Sequence, residues 1–342
     1  MKRIIITLVV IITFSVSHAQ SPQFAVVRPN GTTYICPTFD SAYNKAVNDD
    51  FIYLPGGNFT FSYTFNKRLH IFGAGHHPDS SLVTGKSYSS SQFAIQSGAT
   101  GSTFEGLQTS NNFYFLYTGI QVTNITIKRC RISAVVFNGS ATTLIDSIAS
   151  NIMITECIVD FLQPGNSKNN YFTKNLFRAG TPGEPGYIRE SNFKNNIFIG
   201  TYFTPNNCIF ENNIFMQPGI INTPCTNSFF NNLLVGAGTF NAGCPPNSIT
   251  EVNTITVPTT NDVFVSFTPG PGYPYLDNYD LKPACPGNNA GTDGYDVGIY
   301  GSSSPTSLGW VPSNPHIYFK QVAAQTNTSG QLNIQFKVRT NN

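Results

Sequence analysis

The stretch Phe193-Lys-Asn-Asn196-Ile-Phe198 and its near copy Phe210-Glu-Asn-Asn213-Ile-Phe215 decide how this chain folds. Each begins with an apolar residue, continues through two mostly polar ones to Asn, and places another apolar residue two positions on. Outward from this pair the pattern recurs in Ile127-Lys-Arg-Cys130-Arg-Ile132, Ile154-Thr-Glu-Cys157-Ile-Val159, Phe172-Thr-Lys-Asn175-Leu-Phe177 and Phe229-Phe-Asn-Asn232-Leu-Leu234. Successive Asn or Cys positions stand 27, 18, 21, 17 and 19 residues apart. A period near twenty, too short for a helix pair and rich in β formers, predicts a β-solenoid. One coil cannot bury its own apolar face, so the coils must stack. Cys130, Cys157, Asn175, Asn196, Asn213 and Asn232 are then expected to form a structural ladder along the stack.

Composition narrows the environment. Lys2 and Arg3, an apolar run from Ile4 to Val16, and Ser17-His18-Ala19 before Gln20 read as a secretory signal over residues 1–19. That run is too short to span a bilayer, so the mature chain is expected to be secreted and extracellular, with no membrane insertion. Charged residues make up 11 % of the chain and the net charge is +2, which gives no electrostatic footprint for nucleic acid. The surface is left to Asn, Gly, Ser and Thr with 28 Phe and 16 Tyr, a mixture suited to sugars as well as to an ordinary β protein. Seven Cys leave at least one unpaired or in an intermolecular bond. Cys130 and Cys157 share a phase of the repeat and would stack ~4.8 Å apart, where parallel side chains rarely reach the disulfide torsion, so buried thiols are expected. No Cys-x-x-Cys pair or Cys/His cluster points to zinc.

The flanks complete the organisation. Residues 21–35 read as extended with a turn at Pro29-Asn30-Gly31. Thr38 is an N-cap for a helix over 39–47, with Phe39, Ala42, Tyr43 and Ala46 on one face. Phe51-Ile-Tyr-Leu54, the alternating run Asn58–Phe65 and Leu69-His-Ile-Phe72 read as strands, and the Ser-rich stretch 76–100 as a long loop leaving the solenoid. The cap helix, Ile52-Tyr-Leu-Pro-Gly-Gly-Asn-Phe59 and Asn66-Lys-Arg-Leu-His-Ile-Phe-Gly-Ala-Gly75 together resemble the entry of right-handed parallel β-helix proteins of the pectin-lyase-like superfamily. The Asn phase resembles that superfamily's asparagine ladder, placed at a corner where Asn tolerates a left-handed backbone. Tyr279–Gly291 and Thr292–Gly301 resemble its final coil. The resemblance implies a right-handed parallel β-helix of about a dozen coils over residues 20–301, ~50–60 Å long at one strand spacing per coil. Residues 302–342 read as a Ser/Pro-rich connector and a β-hairpin, Ile317–Val322 with Gln331–Val338, packing on the solenoid as a C-terminal cap.

The superfamily contains hydrolases and lyases of acidic polysaccharides, which calls for a search for their chemistry. The hydrolase pattern of Asn-Thr-Asp, Asp-Asp, Gly-His-Gly and Arg-Ile-Lys on the coils is absent, and Asp49-Asp50 falls at the cap helix end. Asp293 and Asp296 are too few acids for a calcium site. No Gly-x-Ser-x-Gly elbow occurs. Arg129, Glu156 and Lys174 share one phase and stack as a charged stripe, with Lys194 one phase earlier; these four are the candidate binding residues. The expected function is non-catalytic binding of a polysaccharide or cell-surface component along the solenoid face, by a monomer without cofactor. The alternative is a divergent polysaccharide lyase, which would bring calcium.

Overall fold

The computed structural model describes residues 23–79, 81–137, 149–163, 165–179, 188–200, 204–217, 226–236, 240, 245, 248–269, 275–306, 310–313 and 315–339. The stretch expected to be a secretory signal, Cys225 and Cys244 lie outside the described residues. Within them the chain is an all-β parallel solenoid of about 8 turns with one helix and a C-terminal antiparallel strand pair.

The repeat makes two of the three walls. Its first half supplies strands Thr126–Lys128, Met153–Thr155, Tyr171–Thr173, Asn192–Lys194, Ile209–Glu211 and Ser228–Phe230, which pair in parallel within a 12-stranded sheet, here sheet A. Its second half supplies Arg131–Phe137, Ile158–Gln163, Leu176–Ala179, Ile197–Phe198, Ile214–Phe215 and Leu233–Val235, within the 11-stranded sheet B. A 5-stranded sheet C closes the central coils. The register is set by the lumen. Phe172, Phe193, Phe210 and Phe229 stand opposite one another, and their rings stack with centroids 4.5, 4.7 and 4.9 Å apart. A one-residue slip in any coil would turn its Phe out of this column. Phe240 stacks on Phe229 at 4.3 Å and covers the end of the lumen.

At the other end of sheet A, Phe24–Val27 pairs antiparallel with Phe51–Tyr53 on one side and with Thr33–Cys36 on the other, ending the parallel ladder. The helix runs Phe39–Lys45, with a capping box between Thr38 and Ser41 and with Phe39, Ala42 and Tyr43 buried. The alternating run 58–65 is a strand only over Gly57–Phe59, although Phe59, Phe61 and Phe65 do point inward. The stretch 76–100 does not leave the solenoid. Ser87–Ser89 and Phe93–Ile95 join sheet B, and Phe93 and Ile95 are fully buried.

The stack is shorter than a dozen coils because the chain stops adding rungs. Sheets A and B end at Thr250–Val252 and Ile255–Val257. The expected final coil, 279–301, forms none. Asn278–Leu281 pairs antiparallel with Phe264–Ser266, and the described residues of 285–306 and 310–313 run back along the outside of the solenoid. The terminal hairpin, His316–Val322 with Ile334–Arg339, is present as expected.

Candidate functional site

The ladder is a column of amides. Asn196 Oδ1 accepts from the Asn175 backbone N–H at 2.9 Å, Asn213 Oδ1 from that of Asn196 at 2.9 Å, and Asn232 Oδ1 from that of Asn213 at 2.9 Å. Each Nδ2 also donates to a carbonyl of the preceding coil: Asn196 to Phe172, Asn213 to Phe193 and Asn232 to Phe210, at 2.7–2.9 Å. Cys157 extends the column by accepting weakly from the Cys130 N–H at 3.4 Å. Both thiols are free and buried, and burial pushes the Cys157 pKa well above that of an ordinary thiol. The left-handed backbone sits one residue before the ladder, not on it. Arg129, Glu156, Lys174, Asn195, Asn212 and Asn231 have φ of 50–57°. That turn aims the following side chain into the corner, where its amide reaches both neighbouring coils.

A second corner repeats the arrangement. Asn124, Asn151, Asn169, Glu190 and Asn207 take φ of 51–56°, followed by residues such as Asn170, whose Oδ1 accepts from Ile152 N–H at 3.0 Å. The sequence carries the signal, because these positions repeat the spacings 27, 18, 21 and 17 of the first ladder.

The four charged candidates are all engaged within the chain. Arg129 is 6 % and Glu156 9 % exposed; Arg129 Nε donates to Glu156 at 2.5 Å, and its Nη1 lies 3.6 Å from Glu105. The Lys174 ammonium donates to the Ser304 carbonyl, and burial draws its pKa down. Lys194 pairs with Glu211 at 2.8 Å. Burial raises the Glu211 pKa, but hydrogen bonds from Lys194 and Thr292 outweigh it and hold the carboxyl below its ordinary range.

The pairs among Glu105, Arg129, Glu156, Lys194 and Glu211 join neighbouring coils, while the partners of Lys174 and Glu211 at Ser304 and Thr292 come from the returning chain, which lies as a strap over the corner. Asn231 Nδ2 donates to Ala290 O at 2.7 Å, Thr292 N–H to Asn212 Oδ1 at 2.9 Å, and Asn195 Nδ2 to Gly298 O at 3.2 Å. Ser313 closes the series, its N–H donating to Glu105 at 2.6 Å. Beside the corner the strap roofs sheet B. Ile158, Leu176, Ile197, Ile214 and Leu233 point outward, yet all are fully buried in a second core with Leu281, Val297, Ile299 and Trp310. Sequence reading missed this roof. Its signal is the unbroken apolar pairs Leu176-Phe177, Ile197-Phe198, Ile214-Phe215 and Leu233-Leu234, which mark strands buried on both faces.

Sheet A keeps an exposed outer face. Met153, Tyr171, Asn192 and Ile209 follow one another in register, with Met153 43 %, Tyr171 46 % and Ile209 44 % exposed. The neighbouring row runs Lys128, Thr155, Thr173, Lys194 and Glu211. Toward the first coils, Phe51 stacks on His70 at 5.0 Å and Tyr53 on Phe72 at 5.7 Å. Among the described residues no three His, Cys, Asp or Glu gather into a metal-holding group, and no helix is long and apolar enough to cross a membrane. No model of a known protein family matches the chain, and no curated protein or solved structure matches it significantly.

Proposed function

We propose that the chain is a secreted, non-catalytic polysaccharide-binding β-helix of the pectin-lyase-like type, and that a glycan lies along the outer face of sheet A. The observation that carries this reading is the contrast between the two large sheets. Sheet B spends its outer face on the strap, whereas sheet A leaves Met153, Tyr171 and Ile209 open in a regular row. Strands ~4.8 Å apart offer a linear polymer a repeated contact. Apolar and aromatic side chains receive sugar faces, while Asn192, Thr155, Thr173 and the Lys194–Glu211 pair are at hand for hydroxyls. Lys194 thus remains a candidate contact, while Arg129, Glu156 and Lys174 act beneath the strap.

The test is retention of the purified protein on a panel of neutral and uronate polysaccharides, with and without calcium, while unsaturated sugar ends are followed. Retention without cleavage is expected. Replacing Tyr171 by Ala should weaken it about tenfold, the loss of roughly one buried aromatic contact, without lowering the melting temperature. New unsaturated ends would overturn the non-catalytic reading in favour of a lyase.

A further inference from the structure

The outward row of sheet B changes character at Arg131, whose register neighbours are apolar Ile158 on one side and polar Gln108 on the other. The covering chain changes here too, and Tyr275 sits where aliphatic side chains cover the later coils. The Tyr275 hydroxyl donates to the His76 carbonyl at 3.2 Å and accepts from Arg131 Nη1 at 3.2 Å. Two cations share its ring, with the Lys86 ammonium 4.8 Å and the Arg131 guanidinium 5.5 Å from the centroid. The His77 ring meets it edge-on at 4.9 Å.

Cation–π attraction draws each cation to the ring but leaves the two repelling each other. The Lys86 pKa is lowered, first by burial and then by Arg131. Of the nearby acids, Asp160 accepts from Arg178 at 2.6 Å, and Asp79 is exposed, with its charge acting on His77. Lys86 enters no ion pair among the described residues. Two neighbours hold buried polar atoms without a hydrogen-bond partner, namely both ring nitrogens of fully buried His76 and Oε1 of Gln108. Burial keeps the His76 pKa well below the ordinary value, so the positive charge rests on Lys86 and Arg131.

We propose that Lys86, Arg131 and the rim of Tyr275 form an oxyanion-binding site, separate from the sheet A face, for the sulfate or carboxylate group of an acidic ligand. The ammonium supplies a point charge and the guanidinium a planar fork of donors. An anion between them relieves their repulsion. Turning the Gln108 amide, whose oxygen and nitrogen are interchangeable in placement, adds a third donor.

The intact protein would be titrated calorimetrically with inorganic sulfate, dextran sulfate, unmodified dextran and a uronate oligomer. Saturable binding of at least one anionic probe is expected, weakened tenfold or more in Lys86→Gln at an unchanged melting temperature. Arg131→Lys keeps the charge and loses the fork, and should weaken binding by a smaller factor. Sulfate probes binding alone would assign the sulfate ester as the source, and the uronate oligomer alone the carboxylate. No saturable anion binding by the wild type, or unchanged affinity in Lys86→Gln, would overturn the site. Tyr171→Ala should leave anion binding intact and Lys86→Gln should leave neutral-glycan retention intact, so this site and the sheet A reading fail separately.

Discussion

At the scale of the residue, the fully buried Asn213 side chain makes four hydrogen bonds. It accepts from the backbone and side chain of Asn196, each at 2.9 Å, and donates to Phe193 O at 2.8 Å and Asn232 Oδ1 at 3.0 Å. Asn213→Ala strands the Asn196 N–H and takes the second donor from the Phe193 carbonyl, which keeps its ladder bond. At ~1–3 kcal/mol for the buried unsatisfied N–H and ~1 kcal/mol for the other bonds lost, the loss should be about 2–4 kcal/mol. Chemical denaturation would read it; a loss under about 1 kcal/mol would deny the ladder its structural part. Titration gives a second prediction. Burial pushes the Cys208 thiol up to about 12, and burial likewise pushes the Tyr300 hydroxyl to about 12. In the folded chain both hold their protons where the unfolded chain releases them. Their contribution is therefore complete below about pH 9 and is lost as pH rises toward 12, for each group at up to ~1.4 kcal/mol per pH unit. Melting temperature measured from pH 8 to 11 should fall, and thiol reagents at pH 8 should reach Cys208 only on unfolding. The ladder positions were legible in sequence because Asn recurs there at the coil period. The left-handed position was not, because Arg129, Glu156 and Lys174 fill it in the early coils, and in the later ones Asn195, Asn212 and Asn231 stand directly beside a ladder Asn that hides their separate part.

At the scale of the element, the strap explains a glycine that conformation alone does not. Gly106 has φ of +72°, but its successors in the same corner row are Arg129, Glu156 and Lys174, which carry side chains at similar φ. What separates Gly106 is room. A Cβ there would lie 2.5 Å from Pro312 Cγ and 2.9 Å from the Gly73 carbonyl oxygen. Gly294 is the control, with φ of +79° and no atom within 4 Å of an added Cβ. Gly294→Ala should therefore cost only the left-handed strain, ~1 kcal/mol. Gly106→Ala should add a packing clash, for a total of roughly 3 kcal/mol, and should free the Ser313–Glu105 contact. Equal losses in the two variants would mean that the strap does not press on this corner. The strap escaped sequence reading for a related reason. Its turn-forming residues, Gly291-Thr-Asp-Gly-Tyr-Asp-Val-Gly298, resemble a coil corner, and only the apolar row waiting on sheet B distinguishes a roof from another rung.

At the scale of the molecule, a solenoid must protect its two ends and any apolar outer face. The helix with its antiparallel strands protects the first coil, and Phe240 covers the lumen at the last. The remaining burden is the outer face of sheet B, and Val263, Phe264, Tyr279, Leu281, Val297, Ile299 and Trp310 carry it. The terminal hairpin pairs with itself and leaves Phe336 and Ile334 exposed, so it adds little to that shelter. Two truncations separate these parts. Ending the chain at 315 should change the melting temperature by no more than a degree or two, since the strap and its Ser313 hook remain. Ending it at 258 uncovers Ile158, Leu176, Ile197, Ile214 and Leu233, a continuous apolar row across five neighbouring strands. Exposed patches of that kind associate. The shorter product should bind a hydrophobic dye and elute from a sizing column as oligomers or aggregate, while the longer one elutes as the full chain does. A soluble, dye-silent product ending at 258 would show that the parallel coils stand without their roof, and that the strap serves something other than the fold.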